Sequence, residues 1–256
     1  MKAVILAGGL GTRLSEETHL KPKPMVEIGG KPILWHILKI YSTYGVNDFV
    51  ICCGYKGYVI KEYFANYFLH SSDVTFHMSS SNQMQVHSCK SEPWKVTLVD
   101  TGDHTQTGGR LLRVRSFLED QTFFFTYGDG LSDLNLSHLL QHHHESSCTA
   151  SLTAVRPPGR YGLLQIESGL VRSFHEKADS DSAFINGGFF ALEPSIFSHI
   201  TCDETSFELD VLPTLATKGQ LSAFTHTGFW HAMDTLRDRN YLDRLWLDEH
   251  APWRSW

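Results

Sequence analysis

The chain has 256 residues, of which 41% are hydrophobic and 20% charged, values that are typical of a globular protein with a sizeable core. The formal net charge of −6 argues against a nucleic-acid-binding function, because dedicated binders are usually basic. The five cysteines are odd in number and form no Cys-x-x-Cys pair, which argues against a disulfide framework or a structural zinc site. The first residues contain too short an apolar run for a signal peptide, and no stretch reaches the length of a membrane span. We therefore expect a cytoplasmic protein with no nucleic-acid or membrane partner.

Predicted strands and helices alternate over the first 70 residues. The apolar run 3–6 predicts a buried parallel strand that ends in glycines. Residues 31–32, Lys-Pro, predict the start of a helix with proline in its first turn, and Gly45 predicts its end. A second strand is predicted over 48–53 and a second helix over about 58–68. This alternation predicts a parallel sheet that is covered on both faces.

The rest of the chain predicts further strands and helices. Residues 73–103 alternate polar and apolar side chains, which predicts antiparallel strands, and residues 123–127 predict the most buried strand. Since there is no linker, low-complexity tract or internal repeat, we expect one domain over residues 1–256. The expected fold is a three-layer α/β sandwich with a mixed, mainly parallel sheet. The remaining predicted strands are 152–155, 163–166 and 189–192, and the remaining predicted helices are 208–216 and 238–247.

A glycine-rich segment, GGLGTRL at residues 8–14, follows the first predicted strand. Its glycines let successive backbone N–H groups turn toward an anion, and Arg13 adds a planar positive charge. The spacing does not fit the dinucleotide fingerprint, which would need glycine at Leu14, and it does not fit the Walker A pattern. By itself the segment is equally well explained as a turn with an incidental arginine.

A second segment, KPKPMV at residues 21–26, changes the interpretation of the glycine-rich segment. Its prolines hold the chain extended, and Lys21 and Lys23 would repel each other unless an anion or solvent offsets their charges. Together the two segments resemble the signature of the sugar-1-phosphate nucleotidyltransferase superfamily. The resemblance implies a Rossmann-like domain of the nucleotide-diphospho-sugar transferase type. It also implies that Arg13 meets the leaving pyrophosphate and that Lys23 holds phosphate at the reacting centre.

The resemblance covers residues 1–256 and implies which of them contact the nucleotide. Thr105 lies in a locally variable stretch, so its assignment is weaker than that of Arg110. The implied nucleotide-binding residues are Leu6, Ala7, Gly8, Gly9, Leu10, Gly11, Thr12, Arg13, Lys23, Thr105, Arg110 and Asp129.

Two aspartates, Asp129 and Asp234, follow apolar segments far apart in the chain. Carboxylates at the carboxyl ends of parallel strands face the ligand crevice, and oxygen ligands are those that Mg²⁺ prefers. Each has a simpler interpretation, Asp129 as a turn residue and Asp234 as a helix N-cap. The resemblance implies instead that both hold Mg²⁺ and that they act in catalysis together with Arg13 and Lys23.

Three further residues acquire a role only from the resemblance. Glu176 and Lys177 would otherwise form a surface ion pair, and Asn186 would lie in a turn. The resemblance implies that they hold the sugar and its phosphate. Where the family has Glu-Lys-Pro this chain has Ala178 in place of proline, so we expect a looser loop there.

Several segments match the branch of the family that uses CTP. The resemblance implies that CTP and glucose 1-phosphate react to give CDP-glucose and pyrophosphate, in a homo-oligomer whose product supplies 3,6-dideoxyhexose synthesis for bacterial surface polysaccharide. Gly108 and Gly109 would let backbone groups approach the base edge and Arg110 would hold the nucleotide. Alternatively, the glycines shape a hairpin and Arg110 lies in solvent. The matching segments are DTG at 100–102, TGGRL at 107–111, PPGR at 157–160 and MDTLR at 233–237.

Three other functions remain open. An enzyme for UTP or another sugar 1-phosphate would differ only in the residues of its pocket. A glycosyltransferase would carry an Asp-x-Asp metal motif, where this chain has Asp129-Gly130-Leu131. A non-catalytic sugar-nucleotide binding protein would be expected to have lost a lysine or an aspartate, and none is missing.

Overall fold

The computed structural model describes residues 1–11, 14–78, 83–157, 163–167, 170–175 and 183–256. None of the helices in these ranges is long and apolar enough to cross a membrane. The strands are β1 (Lys2–Ala7), β2 (Glu27–Ile28), β3 (Lys31–Pro32), β4 (Asp48–Cys53), β5 (Ser72–His77), β6 (Gln83–Cys89), β7 (Lys95–Asp100), β8 (Phe123–Tyr127), β9 (Gly130–Ser132), β10 (Ala150–Val155), β11 (Leu163–Glu167), β12 (Leu170–His175), β13 (Ile185–Leu192), β14 (Leu221–His226) and β15 (Trp230–Ala232). The α-helices are α1 (Ser15–Thr18), α2 (Ile33–Thr43), α3 (Gly57–Ala65), α4 (Tyr67–His70), α5 (Thr107–Arg113), α6 (Leu136–Ser146), α7 (Leu212–Thr217) and α8 (Leu236–Leu247).

Seven strands form the central sheet, in the order β14-β10-β13-β8-β1-β4-β7. Strand β1 pairs in parallel with β4 and with β8, β4 pairs in parallel with β7, and β10 pairs in parallel with β14. Strand β13 is antiparallel to both of its neighbours. The predicted mixed, mainly parallel sheet is therefore confirmed.

Alternate residues of β1 point to opposite faces of this sheet, as strand geometry requires. Ala3, Ile5 and Ala7 belong to a core that also contains residues of α2 and α8. Val4 and Leu6 belong to a second core, which contains residues of α5 and α7. Because both faces are covered, β1 is apolar from Ala3 to Ala7 and not alternating, and the helices form the outer layers of the sandwich.

Several predicted elements differ from the observed ones. Strand β7 is parallel to β4, and its alternating pattern reflects a half-buried edge position instead of antiparallel pairing. Pro32 has an extended conformation and lies just before α2, so the helix starts at Ile33. The predicted helix over 58–68 is divided at Asn66 into α3 and α4, and the one over 208–216 begins with a π-helical turn, Phe207–Val211.

His36 of α2 is fully buried against aromatic side chains near the carboxyl terminus. Its Nε2 donates a hydrogen bond to the carbonyl oxygen of Ile28 at 2.9 Å, and its Nδ1 accepts one from Nε1 of Trp253 at 3.4 Å. Only a neutral ring with its hydrogen on Nε2 satisfies both contacts. Burial lowers the pKa of His36 from 6.5 to about 4, although the bond to Ile28 acts in the opposite direction.

We expect the stability of the fold to decrease as the pH falls from 6.5 toward 4. In that interval the unfolded chain binds a proton at His36 that the folded chain does not bind, and the full effect is about 3 kcal/mol. Urea denaturation at a series of pH values measures it. His36→Gln should weaken the pH dependence, whereas His138→Gln, a change at an exposed histidine, should leave it unchanged. Equal pH dependence in wild type and His36→Gln would contradict this expectation.

Candidate active site

A cavity of about 620 Å³ opens at the carboxyl ends of β1 and β8. In α/β sheets this edge is where ligands bind. We call it the central cavity. It is lined by residues 6–11, 23–24, 103–107, 110 and 127–129.

The central cavity brings together every predicted nucleotide-binding residue that the structure describes. Asn186 lies beyond this lining and donates through Nδ2 to the hydroxyl of Tyr127, which is part of the cavity wall. The predicted residues that line the cavity are Leu6, Ala7, Gly8, Gly9, Leu10, Gly11, Lys23, Thr105, Arg110 and Asp129. Outside the described residues lie Thr12, Arg13, Glu176, Lys177, Ala178 and residues 158–160 of the PPGR segment.

Arg110 lies directly beneath the glycine loop. A Cβ atom on Gly8 would be 2.1 Å from Nη1 of Arg110, so any larger residue there would have to displace the arginine. The arginine is 5% exposed and donates to the carbonyl oxygen of Cys53 at 3.3 Å, to Oγ1 of Thr101 at 2.8 Å and to the carbonyl oxygen of Asp103 at 3.3 Å. Burial lowers the pKa of Arg110 below its usual 12.5, which still leaves it charged. All three acceptors are neutral, so the guanidinium forms no direct ion pair with them, although the charges of Asp103 and Asp100 lie nearby. An anion in the cavity can still interact with the guanidinium.

Gly108 and Gly109 lie in helix α5 and face the neighbouring chain segment, not the cavity. A Cβ atom on Gly108 would be 2.7 Å from the carbonyl oxygen of Thr205, and one on Gly109 would be 2.3 Å from that of Asp203. The two glycines therefore permit close packing of α5 against this segment. The alternative of a hairpin with Arg110 in solvent was wrong, and neither glycine lines the cavity, so their approach to the base edge stays a prediction without structural support.

The two lysines of the KPKPMV segment have different environments. Nζ of Lys21 lies 3.1 Å from Oε1 of Glu27 at the surface. Nζ of Lys23 lies 2.6 Å from Oδ2 of Asp129 and 2.8 Å from Oδ1 of Asp234. Burial by itself would lower the pKa of Lys23, but the two carboxylates outweigh it and hold the pKa above 10.5. Lys23 is therefore charged and links two parts of the chain that are distant in sequence.

Short strands β9 and β15 bring the two aspartates together. In their antiparallel pairing Gly130 lies opposite Ala232, and the N–H of Met233 donates to the carbonyl oxygen of Asp129 at 2.8 Å. Asp234 follows directly and precedes α8. The N-cap of α8 is Thr235, whose Oγ1 accepts from the N–H of Asp238 at 3.2 Å, so the simpler interpretation of Asp234 as an N-cap was wrong.

Asp129 and Asp234 fit a divalent metal that also binds phosphate oxygens. Both carboxylates contact the single cationic group of Lys23, so they already share one positive charge. Carboxylate oxygens are the ligands that Mg²⁺ prefers, and Mg²⁺ commonly takes one or two of them together with substrate phosphates. Within the described ranges no cluster of three or more His, Cys, Asp or Glu side chains is present. A metal held here would therefore complete its coordination with substrate and water.

Sequence reasoning missed several residues of the cavity wall. Tyr127 and Gly128 could have been found, because they immediately precede Asp129 at the end of a buried strand. Thr107 belongs to the TGGRL segment, but Gln106 gave no signal, since it joins the cavity only because α5 packs across the sheet edge.

The chain is similar in sequence and structure to several nucleotidyltransferases. The Nucleotidyl transferase family matches residues 2–248. Glucose-1-phosphate cytidylyltransferase of Salmonella typhi is 62% identical over 257 residues, and a probable glucose-1-phosphate cytidylyltransferase of Bacillus subtilis is 44% identical over 257 residues, each covering 100% of both chains. Among solved structures, HddC from Yersinia pseudotuberculosis matches with a TM-score of 0.70 and 26% identity over 96% of this chain and 99% of its own. The same protein complexed with GMP-PN matches with a TM-score of 0.69.

Two adjacent glycines test the packing beneath the loop. Gly8→Ala should displace the hydrogen-bonded Arg110 and destabilise the fold by about 1–3 kcal/mol. A Cβ atom on Gly9 meets nothing within 4 Å, and neither glycine has a left-handed backbone, so Gly9→Ala should be tolerated. Thermal denaturation and calorimetric binding of a nucleoside triphosphate measure both effects. If the two variants behaved alike, Arg110 would not be what restricts this loop.

Proposed function

The chain belongs to the nucleotidyl transferase family, and we propose that it catalyses the reaction of CTP with α-D-glucose 1-phosphate to give CDP-glucose and pyrophosphate. The observation that carries this proposal is the 62% identity, over the whole of both chains, to glucose-1-phosphate cytidylyltransferase of Salmonella typhi. The central cavity supports it, because a glycine loop, Lys23 and two carboxylates meet where a nucleotide would bind.

The chemistry requires positioning and charge neutralisation more than proton transfer. The second pKa of a sugar phosphate is about 6, so at neutral pH the phosphate oxygen is already an anionic nucleophile and needs no general base. It attacks the α-phosphorus of CTP, a new P–O bond forms, and the bond to the pyrophosphate group breaks with its electron pair leaving on pyrophosphate. Holding two polyanions in line is the main contribution of the protein.

The described residues suggest how that charge is balanced. Lys23 would hold the reacting α-phosphate, and the glycine-loop N–H groups with Arg110 would hold the remaining nucleotide phosphates and the nucleoside. Enzymes of this family generally use a divalent metal. We propose that it is Mg²⁺ and that Asp129 and Asp234 hold it, where it would neutralise phosphate charge.

The other predicted site residues also remain proposals. Arg13 would stabilise the charge that builds on the leaving pyrophosphate, and Thr12 and Thr105 would contact the nucleotide. Glu176, Lys177 and Asn186 would hold the glucose 1-phosphate. We further propose a single catalytic domain that works in the cytoplasm as a homo-oligomer. Its product would supply 3,6-dideoxyhexose synthesis for bacterial surface polysaccharide.

The metal role is tested by removing one carboxylate charge. Asp129→Asn should abolish turnover at every Mg²⁺ concentration while leaving the fold intact. Asp133→Asn is a matched control, because that carboxylate lies four residues further on and pairs with His226 at 2.9 Å, outside the cavity lining. Pyrophosphate release and thermal denaturation are measured for both variants. Substantial activity of Asp129→Asn at saturating Mg²⁺ would overturn the assignment.

The nucleotide assignment is tested by comparing CTP with UTP. Cytosine offers an amino donor where uracil offers a carbonyl acceptor, and an unpaired buried polar group costs about 1–3 kcal/mol, or roughly tenfold to a hundredfold in specificity. We expect wild type to prefer CTP over UTP by this factor. We expect Arg110→Ala to have a lower kcat/KM for CTP. Arg113→Ala is a matched control on the same helix, since that arginine bonds to Asp203 at the surface. Equal use of both nucleotides by wild type would contradict the cytidylyl assignment.

A further inference from the structure

Glu208 lies behind the wall of the central cavity, on the π-helical turn that precedes α7. Its carboxylate accepts hydrogen bonds from three hydroxyl groups: from Tyr127 at 2.6 Å, from Thr107 at 2.5 Å and from Ser206 at 3.2 Å. Tyr127 and Thr107 both line the cavity, but they come from β8 and from the start of α5. One carboxylate thus fixes two parts of the wall that are not adjacent in sequence.

The hydrogen bonds that lead from Asn186 to Glu208 run in one direction. The N–H of Gly188 donates to Oδ1 of Asn186 at 2.8 Å, so the opposite end of this amide must be its NH₂ group. That NH₂ group donates to the hydroxyl oxygen of Tyr127 at 3.3 Å. The hydroxyl hydrogen of Tyr127 is then directed to Glu208, which can only accept. The amide of Asn186 is therefore held at both ends.

Packing keeps Tyr127 in the position that this arrangement needs. Gly188 has a left-handed backbone with φ of 79°, and a Cβ atom there would be 2.5 Å from Cδ2 of the tyrosine ring. The ring therefore lies directly against the backbone of β13. Burial, together with the nearby charge of Glu208, raises the pKa of Tyr127, so its hydroxyl stays a neutral donor.

We propose that Glu208 is a positioning residue that, through Tyr127, fixes the amide of Asn186 and so contributes to the choice of sugar 1-phosphate. The inference rests on the proposed function, in which Asn186 holds the glucose 1-phosphate. An amide held at both ends presents its remaining N–H and oxygen lone pair in fixed directions. Epimeric sugars direct their hydroxyl groups differently, so they leave one of these polar groups unpaired.

A purely structural role for Glu208 is the alternative to exclude. Thr107 accepts from the N–H of Phe207 at 2.9 Å, so the same network also joins α5 to the π-helical turn. Loss of Glu208 would then lower stability without changing how sugars are distinguished. The discriminating quantity is the ratio of kcat/KM for glucose 1-phosphate to kcat/KM for galactose 1-phosphate, its C4 epimer, measured beside the melting temperature.

Two variants interrupt the hydrogen bonds at different points, and a third retains them. Tyr127→Phe removes only the hydroxyl, and Glu208→Ala removes the final acceptor. Each should lower the sugar ratio about three- to tenfold, as expected for the loss of one hydrogen bond. Glu208→Gln keeps a carbonyl oxygen for Tyr127 and should retain most of the ratio. The double variant Tyr127→Phe/Glu208→Ala should lower the sugar ratio no further than the more severe single change, because the two substitutions act on the same hydrogen bonds.

A second tyrosine–glutamate pair provides matched controls. Tyr67 donates to Glu92 and accepts from Nε1 of Trp35 at 2.9 Å, and none of these residues lines the central cavity. Tyr67→Phe and Glu92→Gln should lower the melting temperature and leave the sugar ratio unchanged.

The possible results distinguish a failure of the inference about Glu208 from a failure of the proposed function. If Tyr127→Phe and Glu208→Ala lower the melting temperature as the controls do but leave the sugar ratio unchanged, Glu208 is only structural and the inference is overturned. If wild type releases no pyrophosphate from CTP with glucose 1-phosphate, the proposed function fails and the inference fails with it. Wild-type turnover together with a lower ratio in both variants supports the inference.

Discussion

The ammonium of Lys23, held between the carboxylates of Asp129 and Asp234, is the contact on which the geometry of the cavity depends. Removing three charged groups from water is costly unless they neutralise one another, and here one positive charge faces two negative ones. The cluster is therefore net negative, and two of its members, Lys23 and Asp129, line a cavity proposed to receive polyanions. A divalent cation between the carboxylates would change that balance by two charges. The excess negative charge of the paired aspartates therefore fits a site where a cation binds together with phosphate.

Close approach of backbone segments shapes the other side of the cavity. Arg110 fits beneath the loop only because Gly8 and Gly54 have no side chains, since a Cβ atom on Gly54 would lie 2.4 Å from Nη1 of the arginine. Gly128 meets the same requirement at the end of β8, where a Cβ atom would lie 2.6 Å from the carbonyl oxygen of Leu6. These glycines have no left-handed backbone. Their role is to allow Arg110 and the neighbouring strand to lie close to their backbone. They do not act as flexible turns.

The glycine loop and Lys23 could be predicted from residues that lie close together in the chain, whereas Arg110, Asp129 and Asp234, which are distant in sequence, were assigned from the resemblance. The loop directly follows the apolar run 3–7 of β1, and Lys23 lies in the neighbouring KPKPMV segment. The direction of β7 could not be predicted, because an edge strand of a parallel sheet has one exposed face and alternates like an antiparallel one. The packing of Gly109 against Asp203 was also beyond prediction, since it joins segments about 90 residues apart.

The polar groups around the glycine loop and those around Asn186 are positioned differently. This difference affects where substrate specificity can arise. On the side proposed to bind the nucleotide, backbone groups and the guanidinium of Arg110 face the cavity, and such groups recognise phosphate without regard to the base. On the side of Asn186, the polar atoms belong to side chains fixed by further side chains, ending at Glu208. An acceptor on a π-helical turn gives no periodic signal in the sequence, and π-helical turns are frequent at functional sites. Any substitution other than proline keeps a backbone N–H group, whereas a substitution at Asn186, Tyr127 or Glu208 changes the polar atoms themselves. We therefore expect differences in sugar preference within the family to arise more readily on the side of Asn186.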